Sequence, residues 1–99
     1  MTEKLIGALG DRVTGCAAVA GVMNENSVKT CIPVRPFPII HIHGTQDELV
    51  PWDGHPDKNY LTVPDNLNFW LEKNSCSLHG DVVSLPDIDP SDGCTVEKI

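Results

Sequence analysis

The sequence predicts an α/β fold in a single domain over residues 1–99. Two short apolar runs alternate with two segments of helical periodicity, which is typical of parallel strands joined by crossovers. The length of 99 residues leaves room for one domain with a small core. We therefore expect a few parallel strands, with crossover helices packed against them.

The first half of the chain contains a predicted helix, strand and loop. Apolar residues recur at helical spacing over 2–10, and a glycine stands where the helix would end. The small apolar run over 13–22 lacks alternation, so it predicts a strand covered on both faces. Polar residues and three prolines over 24–38 predict a loop.

The second half contains a predicted strand, loop and helix, followed by a tail. The β-branched run over 39–44 predicts a second buried strand, and the polar segment over 45–59 predicts a long surface loop. A helix is predicted from Val63 to Asn74, with Leu67, Trp70 and Leu71 on one face. The tail predicts two short extended segments joined by an acidic turn.

Charge and apolar patterning exclude two classes of partner. Seven Lys+Arg against 14 Asp+Glu give a net charge of −7 without a basic run, so binding to nucleic acid is not expected. No apolar stretch approaches the roughly 20 residues that cross a bilayer.

The cysteine pattern leaves the redox state open. The spacings contain no CxxC, so no zinc knuckle is indicated. One or two disulfides or four free thiols are equally compatible with the placement. The four cysteines are Cys16, Cys31, Cys76 and Cys94.

The loop after the second strand holds the best candidate for a catalytic group. Ligands in parallel sheets bind beyond the carboxyl ends of the strands, and Asp47 stands three residues after Gly44 at such an end. This position favours Asp47 over Glu48 and Asp53. The alternative is a solvated acid that caps a turn.

Two histidines on the second strand could serve either chemistry or structure. His41 and His43 are two residues apart, so both face the same side of the sheet and could ligate one metal ion together with Asp47. The expected arrangement is instead that they are hydrogen-bonded and brace the loop. His55 and His79 are isolated and are expected in solvent.

None of the serines stands in the G-x-S-x-G pentapeptide that exposes a nucleophile on a tight turn. Ser91 comes nearest, since Gly93 follows it, but Asp89 precedes it. We predict that Ser91 belongs to an ordinary acidic turn.

Four segments in order resemble the poly(3-hydroxybutyrate) depolymerase and feruloyl or acetylxylan esterase family of α/β-hydrolases. They are DRVTGCAAVAGVMN, RPFPIIHIHGTQDELVPWDG, NFWLEKNSC and LPDIDPSDGCTVE. The resemblance implies a partial α/β-hydrolase fold and makes Asp47 the acid of a Ser-Asp-His triad. It also implies structural roles for Pro51, Trp52 and Gly54 around that acid.

The resemblance also marks what this chain lacks. In the family, the serine stands in a G-x-S-x-G elbow that would precede Met1, and the histidine stands in a G-H-x-W-P context that would follow Ile99. His79, in SLHG, does not match that context. Because a triad without its nucleophile and base loses most of its activity, we expect the isolated chain to be inactive as an esterase.

The resemblance implies an ester substrate, either a polyester or a plant cell-wall ester, no cofactor, and secretion or export to the periplasm. A non-catalytic acidic module that binds a partner, or a second copy, through exposed sheet edges is the alternative of a different class. A small metal-binding protein that uses His41, His43 and Asp47 is a third.

Overall fold

The computed structural model describes residues 2–77 and 80–99. Three α-helices, two two-stranded sheets and one 3-10 turn make up its regular structure in these residues. In chain order the elements are α1 (Thr2–Leu9), β1 (Cys16–Val19), α2 (Glu25–Thr30), β2 (Ile39–Ile42), a 3-10 turn (Pro56–Lys58), α3 (Val63–Lys73), β3 (Val83–Ser84) and β4 (Glu97–Lys98).

Strands β1 and β2 form a parallel pair. Cys16 lies opposite Ile39 and Val19 lies opposite Ile42. Helix α2 lies in the connection between the two strands, and the predicted α/β class with parallel strands is confirmed for this small sheet.

The predicted loop over 24–38 is wrong for its first part, because residues 25–30 are helical. Asn24 caps this helix: its side chain accepts a hydrogen bond from the backbone N–H of Ser27 at 2.8 Å. The three prolines all lie after residue 31, where the helix has already ended. The proline content of the whole segment therefore concealed a short helix at its start.

The core lies between the helices and one face of the β1–β2 sheet. The sheet contributes Cys16 and Ile39, which pack against the core cluster. That cluster consists of the buried residues Ile6, Met23, Cys31, Phe37 and Trp70.

A buried polar cluster ties α1 to α3 beside this core. Glu3, which is 4% exposed, accepts hydrogen bonds at Oε1 from the Asn66 side-chain amide at 2.8 Å and the Trp70 indole N–H at 3.1 Å. The Asn66 side-chain oxygen accepts the backbone N–H of Met23 at 2.9 Å. Burial raises the pKa of the Glu3 carboxyl group above its ordinary value.

The packed face of α3 differs from the predicted one. Val63, Asn66 and Trp70 are buried, whereas Leu67 and Leu71 are only half-buried. The buried face is centred on a polar residue because Asn66 finds partners for both its amide nitrogen and its oxygen.

The opposite face of the sheet is open, so the expectation that both strands are covered on both faces is wrong for this chain. Ala17, Val19, Ile40 and Ile42 lie on this face, which we call the open face, and Val19 and Ile40 are 68% and 64% exposed. The apolar composition of both strands is typical of a sheet that lies between two layers of helices. The described residues form one such layer.

The tail forms a separate antiparallel pair of β3 and β4, with Val83 opposite Lys98. This confirms the two predicted extended segments. The cysteines are free thiols in the structure, all four of them within the described residues. None of the helices in the described ranges is long and apolar enough to cross a bilayer.

Candidate active site

The candidate site lies at the carboxyl end of β2, as the sequence predicts. The chain leaves the sheet at His43 and turns at Gly44, whose carbonyl accepts the backbone N–H of Asp47 at 3.2 Å. The Asp47 carboxylate then closes a second turn, which we call the acid turn (residues 47–50). Its Oδ1 accepts the backbone N–H groups of Leu49 at 2.9 Å and Val50 at 2.8 Å.

These backbone donors keep Asp47 ionised. The hydrogen bond from Val50, followed by that from Leu49, lowers the pKa of the Asp47 carboxyl group below its ordinary value, and the nearby His43 acts in the same direction. The second carboxylate oxygen, Oδ2, accepts no hydrogen bond from any residue in 2–77 or 80–99. Asp47 thus presents one held oxygen and one oxygen that is available to a partner.

His41 and His43 lie side by side on the covered side of the sheet. Their rings stack with centroids 5.4 Å apart, and Nε2 of His41 lies 3.3 Å from Nδ1 of His43. On its other side, Nε2 of His43 lies 2.7 Å from the carbonyl oxygen of Val50. The predicted arrangement, histidines that are hydrogen-bonded and brace the loop, is confirmed.

Burial, with a smaller contribution from His43, lowers the pKa of the His41 imidazole, which favours its neutral form. Its Nδ1 is buried and has no hydrogen-bond partner among the described residues. A proton added there would have no acceptor, which also favours the neutral ring.

The rest of the loop packs around the acid turn. The Trp52 ring meets His43 edge-on with centroids 6.1 Å apart, and the Trp52 carbonyl accepts the backbone N–H of Val63 at 2.9 Å. Gly54 has φ +81°, and a Cβ there would lie 2.8 Å from the Tyr60 carbonyl oxygen. Only glycine fits this position without strain, so the loop returns to α3 along a fixed path.

The metal alternative is not supported. No group of three or more His, Cys, Asp and Glu side chains is placed to hold a metal ion within the described ranges. His41 and His43 are instead engaged with each other and with the backbone. His55 packs edge-on against Tyr60, and His79 lies outside the described residues.

Ser91 belongs to the acidic turn, as predicted. Its hydroxyl and its backbone N–H both donate to Oδ1 of Asp89. A hydroxyl held in this way caps a turn and is not poised as a nucleophile.

An open groove of about 650 Å³ lies at the amino ends of β1 and β2, lined in part by Gly15, Pro38 and Cys76. Since ligands bind at the carboxyl ends of parallel strands, we do not assign the groove to the candidate site.

Sequence reasoning missed the role of Val50. This residue links Asp47 to His43, because its N–H donates to the carboxylate and its carbonyl oxygen contacts the imidazole. Both contacts are made by backbone atoms, so no side-chain pattern could indicate them.

Comparison with known proteins gives one partial match. Feruloyl esterase B from Piromyces equi is 32% identical over 54 residues, which cover 48% of this chain and 10% of the relative. No family model matches, and no solved structure matches. The chain spans about a tenth of the length of the curated relative it matches, and the match supports an esterase-like relationship.

Proposed function

We propose that this chain is the part of a serine carboxylic ester hydrolase that supplies the triad acid, Asp47. The observation that carries the proposal is the Asp47 carboxylate itself. It follows a parallel strand, two backbone N–H groups hold one of its oxygens, and the other oxygen is left for a partner. The partial match to a feruloyl esterase supports the same chemistry.

In this function, Asp47 accepts the Nδ1–H of the catalytic histidine, holds its imidazole in the correct tautomer and stabilises the imidazolium. The histidine transfers the proton between the serine hydroxyl and the leaving alcohol as the serine attacks the ester carbonyl. No serine of this chain stands in G-x-S-x-G, so the nucleophile comes from another segment. The chemistry requires no cofactor.

The fold and substrate follow from the same proposal. The β1–β2 pair is then part of the sheet of an α/β-hydrolase related to poly(3-hydroxybutyrate) depolymerases and feruloyl or acetylxylan esterases. Its substrate is a polyester or a plant cell-wall ester, and the enzyme is secreted or periplasmic, where such polymers are found.

The first test is to sequence the DNA on either side of this reading frame, which we expect to encode a G-x-S-x-G upstream and a G-H-x-W-P downstream.

The second test uses the protein expressed from that longer frame. We expect Asp47→Asn to lower its kcat for a feruloyl or hydroxybutyrate ester by about 10⁴-fold. Asp53→Asn, in the same loop, is the matched control and should leave kcat unchanged. The 99-residue chain alone should not hydrolyse either ester. Equal turnover by Asp47→Asn and the unmodified enzyme would refute the proposal.

The open face favours a second candidate, a non-catalytic interaction module. Val19, Ile40 and Ile42 are each more than half exposed and lie side by side on two strands whose outer edges are unpaired in the described residues. In this function, a second copy of the chain covers the open face or pairs with an edge. Size-exclusion chromatography with light scattering should then give a dimer, whereas a monomer at all concentrations contradicts it.

A further inference from the structure

We infer that His43 is the residue that positions the triad acid: through the Val50 carbonyl, it fixes the turn that aims the Asp47 carboxylate. The inference rests on the proposed function, in which the direction of Asp47 matters for catalysis. It concerns a residue next to the end of β2 rather than a residue of the triad.

The first step is that Val50 is held at both of its backbone polar groups. Its N–H donates to Oδ1 of Asp47 at 2.8 Å, and its carbonyl oxygen lies 2.7 Å from Nε2 of His43. Pro51 follows and restricts the backbone further, since its ring fixes φ. A residue held in this way transmits the position of the imidazole to the carboxylate.

The second step assigns the protons. A carbonyl oxygen can only accept, so Nε2 of His43 carries the hydrogen and donates to Val50. In the neutral ring, Nδ1 of His43 is then an acceptor, and it receives the Nε2–H of His41 at 3.3 Å. The chain of donors thus runs from His41 to His43 to Val50 and on to Asp47.

The third step concerns rigidity. His43 stands directly after β2, its ring stacks on that of His41 in the strand, and the Trp52 ring meets it edge-on. The loop alone would leave the acid turn with its local hydrogen bonds only, one from Asp47 N–H to Gly44 and two from Leu49 and Val50 to the carboxylate. The contact with His43 connects that turn to the sheet, against which a catalytic group must be fixed.

The experiment uses the 99-residue chain, with ¹⁵N in the histidine rings and ¹³C in the aspartate carboxyl groups, studied by NMR. At a pH where both rings are neutral, we expect His41 and His43 to carry their hydrogens on Nε2. A hydrogen on Nδ1 of His43 would overturn the inference without any substitution.

Two variants of His43 distinguish a role in positioning Asp47 from a role in the stability of the fold. His43→Leu removes the donor, so we expect the Asp47 pKa to rise towards its ordinary value and the Val50 amide hydrogen to exchange about fivefold to tenfold faster. His43→Gln places an amide N–H close to the position of Nε2 and should restore both values.

His55→Leu is the matched control, since His55 lies in the same loop and makes no hydrogen bond to the acid turn. It should leave both values unchanged, and the Asp89 pKa should stay constant in every variant. An unchanged Asp47 pKa in a folded His43→Leu chain would overturn the inference. If that variant does not fold, the inference is tested by the positions of the ring hydrogens and by the two NMR values of His43→Gln.

The result of these NMR measurements does not depend on esterase activity. If Asp47→Asn leaves the longer enzyme active while His43→Leu still raises the Asp47 pKa, the proposed function fails and the positioning contact stands. If Asp47→Asn abolishes turnover while His43→Leu changes neither NMR value, the function stands and the role of His43 fails.

Discussion

Two carboxylates of the chain, Asp47 and Glu3, lie in contrasting environments. Asp47 lies in an exposed turn and accepts two backbone N–H groups, whereas Glu3 is buried and accepts side-chain N–H groups from α3. The pKa of Asp47 is lowered by its donors, but the pKa of Glu3 is raised because burial outweighs its hydrogen bonds. A similar number of hydrogen bonds therefore gives opposite results.

The difference shows that solvation, rather than the number of donors, decides whether the pKa of a hydrogen-bonded carboxyl group is lowered or raised. Asp47 keeps its charge and one available oxygen at little cost because water reaches it. Glu3 is buried beside the core, so its role is to accept hydrogen bonds from the buried Asn66 and Trp70 side chains.

The largest predicted effect is the loss of stability when the core residue Trp70 is replaced. Trp70 is 2% exposed and joins the hydrophobic core to Glu3, so Trp70→Ala should lower the free energy of unfolding by about 3–5 kcal/mol. The matched control is Trp52→Ala beside the acid turn, where the residue is only half-buried and the loss should be about 1–2 kcal/mol. Urea denaturation followed by circular dichroism measures both. Similar losses would mean that the loop is as much part of the core as α3.

The second-largest effect is predicted for the loss of the Glu3 carboxylate as a hydrogen-bond acceptor. Glu3→Leu leaves the Asn66 amide and the Trp70 indole N–H without their acceptor in a buried site, so we expect a loss of about 2–3 kcal/mol. Glu3→Gln keeps an acceptor oxygen and removes the buried charge, and should be at least as stable as the unmodified chain at pH 7. If the glutamine variant is as unstable as the leucine variant, the charge itself stabilises the cluster.

The two carboxylates should also give opposite pH dependence. The folded pKa of Glu3 lies above its ordinary value of 4.5, so the folded state binds this proton more tightly. The contribution of Glu3 to stability is therefore largest below pH 4.5 and declines as the pH rises towards the folded pKa. The folded pKa of Asp47 lies below 3.8, so its contribution is present above pH 3.8 and is lost as the pH falls below it.

Urea midpoints measured from pH 2.5 to 8 test these slopes. Glu3→Gln should flatten the decline above pH 4.5, whereas Asp47→Asn should flatten only the acid side. A midpoint curve that Glu3→Gln leaves unchanged would show that Glu3 titrates normally in the folded chain.

The sequence was sufficient to predict the elements whose signals are local. The periodicity of 2–10 and 63–74 and the β-branched run of 39–44 gave α1, α3 and β2 close to their observed bounds. Helix α2 was missed because its capping signal at Asn24 stands in a segment dominated by later prolines.

Contacts between distant residues were not predictable in this way. The sequence contains no sign that Glu3 is buried, because Asn66 and Trp70 reach it only through the packing of α3 against α1. The position of Asp47 after β2 was predicted from a general property of parallel sheets, and the turn that its carboxylate caps matches the alternative considered for this residue. The contact between Val50 and His43 was not predictable, because it needs the folded loop.

The smallest predicted effect concerns the two faces of β2. Ile39 packs against the core and Ile40 points to the open face, so Ile39→Ala should cost about 2 kcal/mol and Ile40→Ala at most about 0.5 kcal/mol in a monomer. Thermal denaturation at several protein concentrations measures both. If Ile40→Ala costs as much as Ile39→Ala, and the melting temperature rises with concentration, a second copy covers the open face in solution. An equal cost that does not depend on concentration would instead mean that residues of the same chain cover Ile40. The pair of adjacent isoleucines therefore tests whether the sheet functions with one layer of helices or with two.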